Sequence, residues 1–314
     1  MTGVKRYIIS CVFLVSSYFA VGDAGDTLKT KHPNGTDPKD SISAAVLGND
    51  EVKEPTGTDS TTIAVVDSLF LRGLDTMRIE PNMAFNSGEK LKFDVRFGFV
   101  HAGDATISVS DTITSAGRKS YAIKFGVDSK PFFDWIYKVR DRYSTVVDAK
   151  GLFPWRFEQH IREGGYTRDF IADFDQVNHV AHTTDKDYPI PPYVHDIMSA
   201  FFYSRTVDYT NYKVGQRLHL QNFYKDSTYK LDVKFRGRQQ IEVPAGKFNC
   251  IIIEPLAREG GLFRSDGTLL VWLTDDERKI PIKVSTQIRI GTIDSELLEY
   301  SGIVGPVTAK VHEE

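Results

Sequence analysis

The stretch LKFDVRF (Leu91–Phe97) decides the fold class. Leu91, Phe93, Val95 and Phe97 alternate with Lys92, Asp94 and Arg96. A period of two places each set on its own face of an extended chain. One face is apolar and the other charged, which is the pattern of a half-buried antiparallel strand. Downstream, ATISVSD, YAIKFGV, RYSTVVD, WRFEQHI, YTRDFIADF and NHVAHTT repeat the pattern, with Gly, Asp or Asn between them. Such spacing predicts a meander.

One segment departs from it. VHDIMSAFFYSR (Val194–Arg205) follows the loop YPIPPY and sets Ile197, Ala200, Phe201 and Ser204 on one helical stripe. The spacing predicts a helix over Val194–Arg205. Strands resume with RLHLQNFY, STYKLDVKFRGRQQIEV, KFNCIIIEP, TLLVWLT, IPIKVSTQIRI and GTIDSELLEY. About a dozen strands and one main helix make an all-β, mainly antiparallel fold. A sheet that large must curl, close or split. The expectation is a large curled sheet or half-open β-barrel with the helix across its mouth, and a β-sandwich is the runner-up. In GTLLVWLTDDERKIPIKV (Gly267–Val284) the acids Asp275 and Asp276 suit local backbone bonding in a turn. Pro281 suits the first position of a strand.

Four blocks also carry a resemblance: GEKLKFDVRFGFVHAGDATI, DIMSAFFYSR, VPAGKFNCIIIEP and GTLLVWLTDDERKIPIKV, in that order. Together they resemble the bacterial envelope proteins of domain-of-unknown-function family 3108, over about Phe85–Tyr300. That resemblance implies no activity. A looser similarity is to the LolA-like periplasmic lipoprotein carriers, which also have a strand ending in Trp, a charged turn and a strand opening with Pro. It implies an unclosed barrel with helices plugging an apolar cavity, and no LolA-type functional residue carries over.

The two ends of the sequence divide it further. MTGVKR, the apolar run Tyr7–Val21 and the small residues Gly22 and Ala24 have the three parts of a secretory signal. The run is shorter than the ~20 residues of a spanning helix. The expectation is residues 1–24 as a signal peptide and secretion across the inner membrane, to the periplasm or the outer-membrane periphery. Cys11 lies too near the start of the run to suggest lipidation. Residues 25–84 read as a flexible polar linker, because so polar a segment cannot offset its ordering entropy. Residues 85–301 read as the β domain and 302–314 as a tail. Removing the signal leaves Cys250, in an apolar strand, which suggests a buried inert thiol.

Net charge is −3 with acids and bases interspersed, which argues against nucleic acid as a partner. No Gly-x-Ser-x-Gly elbow, His-Glu-x-x-His pair or phosphate loop occurs. His179 and His182 are three apart and face opposite sides of a strand, so they do not suggest a metal site. His101 reads as a turn residue. His195 and Asp196 read as a helix-capping region. No catalytic residue, metal or cofactor is expected. An outer-membrane barrel is disfavoured, because KLDVKFRGRQQ carries charge on both faces.

KPFFDWIYKVRD (Lys130–Asp141) is the remaining candidate. Phe132, Phe133, Trp135, Ile136 and Tyr137 crowd beyond what one face of an element can bury. Two readings stand: a core-filling helix, or an apolar flap or membrane-touching foot. With Ile197, Phe201 and Phe202 of the predicted helix, these residues form the candidate surface for an apolar ligand. A lipid, a lipoprotein acyl chain or a partner segment in the envelope would fit it. A structural or glycan-binding module, using surface aromatics such as Trp155, is the alternative.

Overall fold

The computed structural model describes residues 73–114, 117–257, 268–288 and 291–311. The expected signal peptide, Cys11 and most of the expected linker lie outside the described residues. The chain divides into two compact units, and residues 73–77, with a helical turn at 73–75, belong to the unit Ala24–Met77. All that follows concerns the unit from Arg78 onward.

Among the described residues, alternation yields a meander of β1 (Lys90–Phe97), β2 (Val100–Ile113), β3 (Lys119–Ser129), β4 (Arg140–Asp148), β5 (Pro154–Glu163), β6 (Tyr166–Asp175), β7 (Val180–Thr183) and β8 (Asp187–Pro189). The second run is β9 (Arg217–Tyr224), β10 (Ser227–Val243), β11 (Gly246–Ala257), β12 (Leu269–Thr274), β13 (Pro281–Ile288) and β14 (Gly291–Ser301). A short β15 (Lys310–Val311) pairs with β11, inside the segment read as a tail. Two helices complete the unit: α1 (Pro131–Tyr137) and α2 (Ile197–Thr206).

All strands belong to one antiparallel sheet, ordered β8 to β1 and then β14 back to β9. The first and last strands of the domain therefore meet, with β1 pairing β14 from Lys90↔Ser301 to Phe97↔Ile293. A single sheet rules out the β-sandwich. The sheet does not close, since β8 and β9 remain its ends. Side chains seal the seam between them. Phe223 of β9 lies 5.9 Å from both Phe174 of β6 and Tyr188 of β8, and Tyr224 lies 5.8 Å from Phe170. The loop before α2 adds a parallel bridge: His195 N donates to Gln221 O (2.9 Å) and Phe223 N donates to His195 O (2.7 Å). That bridge holds Val194 and His195 extended, so α2 starts at Ile197 rather than at the expected Val194.

The inward faces carry the core: Phe93 and Val95, Ala105 and Ile107, Phe125 and Val127, Tyr143 and Val147, Phe157 and Ile161 are all buried. The outward faces of β3–β6 carry charge. Arg142 pairs with Asp128, Arg156 with Glu158 and Asp173, and Arg162 with Asp169. A lipid-facing band would need apolar side chains there. His101 lies in β2, not in a turn, and pairs with Asp94, because the hairpin is tighter than expected and turns at Gly98–Phe99.

Candidate functional site

Helix α2 is fixed at both ends. Asp196 caps its N-terminus, with Oδ1 accepting from the backbone of Met198 (2.8 Å) and Ser199 (3.0 Å). Ser199 Oγ accepts in return from Asp196 N (3.0 Å), which completes a capping box. Thr145 of β4 donates to Asp196 Oδ2 (2.8 Å). At the other end Arg205, fully buried, forms a two-bond ion pair with buried Glu89 at 2.6 and 2.8 Å. Its remaining donors reach the carbonyls of Lys279 (3.0 Å), Ala84 (3.3 Å) and Arg278 (3.3 Å). Arg278 closes the TDDER turn and Lys279 follows it, both between β12 and β13. Asp276 shapes that turn by accepting from Thr274 Oγ1 (2.7 Å), Arg278 N (3.0 Å) and Lys279 N (3.2 Å). The acids of this hairpin are structural, and the turn serves as the socket for α2.

Held this way, α2 walls an apolar cavity of about 140 Å³. The stripe Ile197, Ala200, Phe201 and Ser204, with Met198, faces into it. The opposite walls come from β1–β3, through residues such as Phe93, Ala105 and Phe125, and from β10–β14. Ser204 and Ser295 are the only hydroxyl-bearing side chains among the lining residues, and none of those residues is charged. Phe202 points elsewhere: it is fully buried against Phe85 (4.8 Å) and the Arg205 guanidinium (4.9 Å).

The aromatic cluster of α1 lies apart from this cavity. Tyr137 and Asp134 anchor the helix. Asp134 binds Arg140 (2.6 Å) and accepts from Ser129, while Tyr137 donates to Glu163 (3.3 Å). Gly164 has φ +56°, and a Cβ there would sit 2.7 Å from the Tyr137 ring, so the β5–β6 turn needs glycine on both counts. Phe133 is half-buried, whereas Phe132 is 74% and Trp135 88% exposed. A core-filling role therefore fails for those two. Ile136 lies within α1, and its side chain is outside the described residues.

Beyond the predicted residues, Arg78 closes over the start of α2. It lies inside the segment read as linker, yet its guanidinium stacks on Tyr193 (4.7 Å) and Tyr203 (5.1 Å) and donates to Gly151 O (2.8 Å). Its Nη2 also meets His195 Nε2 at 3.4 Å. Since guanidinium only donates, Nε2 accepts and Nδ1 carries the proton toward Ser199 Oγ (3.2 Å). That tautomer cannot take a proton from Ser199, so the Ser–His pair is not an activated nucleophile. His182 pairs with Asp187 (2.8 Å), and His179 sits in a turn at φ +58°. Burial pushes the Cys250 thiol up to about 12, with Asp275 and Asp276 adding to the shift, as an inert thiol requires. Trp155 donates to Asp148 (3.2 Å) and packs edge-on against Phe153.

Burial, reinforced by the positive charge of Arg78, depresses His195 to about 3. An unfolded imidazole titrates near ~6.5. Between those values the unfolded chain binds a proton that the folded chain refuses, so stability is lost as pH falls from about 6.5 to about 3. Buried Asp196 is raised and acts in the opposite sense over its own range, where the folded state holds the extra proton. The His195 contribution alone is a loss approaching ~1.4 kcal/mol per pH unit below pH ~6. His195→Gln should flatten that slope in thermal melts across the range. An unchanged slope would remove His195 as its source.

The chain belongs to the family described as "Protein of unknown function (DUF3108)", whose model matches residues 92–298. No curated protein matches it significantly. Among solved structures it is similar to a β-barrel-like protein of domain of unknown function DUF1849 from Brucella abortus. That match has 10% identity and a TM-score of 0.44, covering 72% of this chain and 99% of the other. It is also similar to a Bacteroides fragilis structure named "putative exported protein with YmcC-like fold" (12% identity, TM-score 0.28, covering 72% and 99%). A third is a Parabacteroides distasonis structure named "putative lipoprotein" (11%, TM-score 0.30, covering 72% and 99%). The likeness to LolA-like carriers is not shown by these matches.

Proposed function

We propose that the protein is a non-enzymatic cell-envelope protein that holds an apolar chain segment, such as part of a lipid or a lipoprotein acyl chain, in the cavity beside α2. The secretory pattern of the N-terminus supports the envelope location. The observation that carries the reading is the cavity itself. Left unfilled, an apolar space of about 140 Å³ would forgo roughly 3 kcal/mol at ~24 cal/mol per Å³. A few larger side chains would recover that stability, and the sequence instead places Ala105, Ala200 and Ser295 on its walls. A cavity of comparable size, ~150 Å³, is known to stay dry and take a benzene-sized guest. The space therefore suits the end of a chain rather than a whole lipid. Each Å² of that end removed from water contributes about 25 cal/mol, without any charged contact.

Native mass spectrometry of protein purified from its own envelope, followed by lipid extraction, tests the reading. The expected result is an acyl-bearing adduct at stoichiometric level. A ligand-free spectrum under conditions that preserve a known lipid carrier's adduct would contradict it.

A further inference from the structure

The cavity has two ends of different chemistry, and α2 closes one of them. Thr145, which holds the N-terminus of α2, pairs with Ile123, and Ile123 pairs with Val109. Val109 N donates to Glu89 O (2.9 Å), and Glu89 is the residue that holds Arg205. Both anchors of α2 therefore lie in one row across the sheet, at the end where β1 begins. The helix offers a ligand no free donor there. Ser204, the one hydroxyl among its lining residues, donates to Phe201 O (2.7 Å). At the opposite end a hydroxyl has nothing to bind. Thr286 of β13 pairs with Ile293, which pairs with Phe97, the last residue of β1. It also pairs with Leu269 and lies two residues past Val284, and both of those line the cavity. Period two turns Thr286 to the same inner face as Val284. Thr286 is only 6% exposed, and its Oγ1 has no hydrogen-bond partner among the described residues. The lining residue Ser295 pairs with Val284, which makes it a diagonal neighbour of Thr286 at ~7–8 Å.

We infer that the occupant of this cavity is a neutral acyl ester, held with its hydrocarbon end against α2 and its carbonyl oxygen on the Thr286 hydroxyl, beside Ser295. This rests on the proposed function and adds the polarity and the direction of the ligand. A buried hydroxyl left without a bond is costly, and valine would fill the same shape without that cost. Thr286 instead supplies the donor that the apolar walls lack. The hydrocarbon end needs only apolar contact, which α2 and the strands around it provide. An ester fits better than a free acid. None of the lining residues is charged, so a carboxylate would be buried without a cation. The space of about 140 Å³ between the two ends keeps the enclosed hydrocarbon short.

The test titrates the full chain with methyl pentanoate and with n-heptane, an ester and a hydrocarbon of matched length, followed by NMR of the lining methyl groups. Thr286→Val keeps the shape of the side chain and removes the hydroxyl. It should weaken binding of methyl pentanoate about fivefold and leave n-heptane bound as tightly as in the parent or more so. Ser204→Ala should leave the ratio of the two affinities unchanged, because that hydroxyl is already spent on Phe201 O. Pentanoate at neutral pH should bind more weakly than its methyl ester. Ligand-free Thr286→Val should melt at or above the temperature of the parent, since no bond within the protein is lost. Equal weakening of both probes by Thr286→Val, or no weakening of the ester, would overturn the inference and leave the cavity as the binding site. An affinity ratio that follows Ser204 would reverse the ligand and overturn it, as would pentanoate binding more tightly than its ester. A lower melting temperature for Thr286→Val would show that the hydroxyl already serves the fold, with the same consequence. Binding of neither probe by the parent would remove the proposed function together with the inference.

Discussion

Arg205→Met is expected to destabilise the protein by about 3–5 kcal/mol, because it leaves the Glu89 carboxylate buried without its partner. The loss is large against the ~5–15 kcal/mol by which domains are stable. Four groups converge on this guanidinium: Glu89 ahead of β1, Ala84, and the carbonyls of Arg278 and Lys279 in the β12–β13 turn. Removing it unties α2 from the segment that leads into β1 and from the β12–β13 turn. Glu89→Gln alone should cost less, since the neutral amide still accepts from Arg205, although it sets an uncompensated cation in the interior. The double variant Glu89→Leu/Arg205→Met should recover part of the loss, as apolar replacement of a buried pair often does. Urea denaturation of the four proteins measures these differences. A loss below ~1 kcal/mol for Arg205→Met would mean that the pair contributes only what an exposed one does.

Ala105→Phe should separate ligand retention from folding. Ala105 lies opposite Phe93 on β1 and Val127 on β3, and its Cβ faces the cavity. A benzyl group there takes up most of a space of about 140 Å³. Binding of an apolar chain should fall at least about tenfold, since the buried area that drives it is lost. The melting temperature of ligand-free protein should stay level or rise, because the void is filled. Overpacking would instead lower it, and the larger lining side chain Phe201, changed to Ala, then serves as the opposite probe. Enlarging the cavity with Phe201→Ala should keep binding while lowering stability by roughly 2–4 kcal/mol. Unchanged binding in Ala105→Phe, with the ring seated in the cavity, would place the ligand elsewhere.

The sheet was legible because period-two alternation is a local signal. Thirteen expected strands occur where the pattern put them, and the two that were missed, β8 and β15, span three and two residues, too short to alternate. Half-open closure followed from strand number, but the pairing of β1 with β14 and the seam at β8 and β9 are long-range facts that no window contains. The cavity wall on α2 was legible as the stripe Ile197, Ala200, Phe201 and Ser204, since helical spacing defines a face. The facing walls depend on register across β1–β3 and β10–β14 and were not. Phe202 shows the limit of that reading: adjacent to Phe201 in sequence, it faces Phe85 instead. Arg78 was hidden by the polar composition around it, and its aromatic partners lie more than a hundred residues away. Arg205 did leave a signal, an arginine closing an otherwise apolar helix, which is the residue type that must find a carboxylate when buried. In KPFFDWIYKVRD, composition alone could not separate buried from presented aromatics. That distinction is made by Tyr137 over Gly164 and by Asp134 on Arg140.

Bound-chain crystallography tests the central claim most directly. Crystals of the protein with a fatty acid brominated at its terminal carbon should give anomalous density inside the sheet. The account predicts that the bromine lies among Phe93, Ile107 and Phe201, beside α2. Bromine found only on the outer surface, or none at saturating ligand, would contradict it.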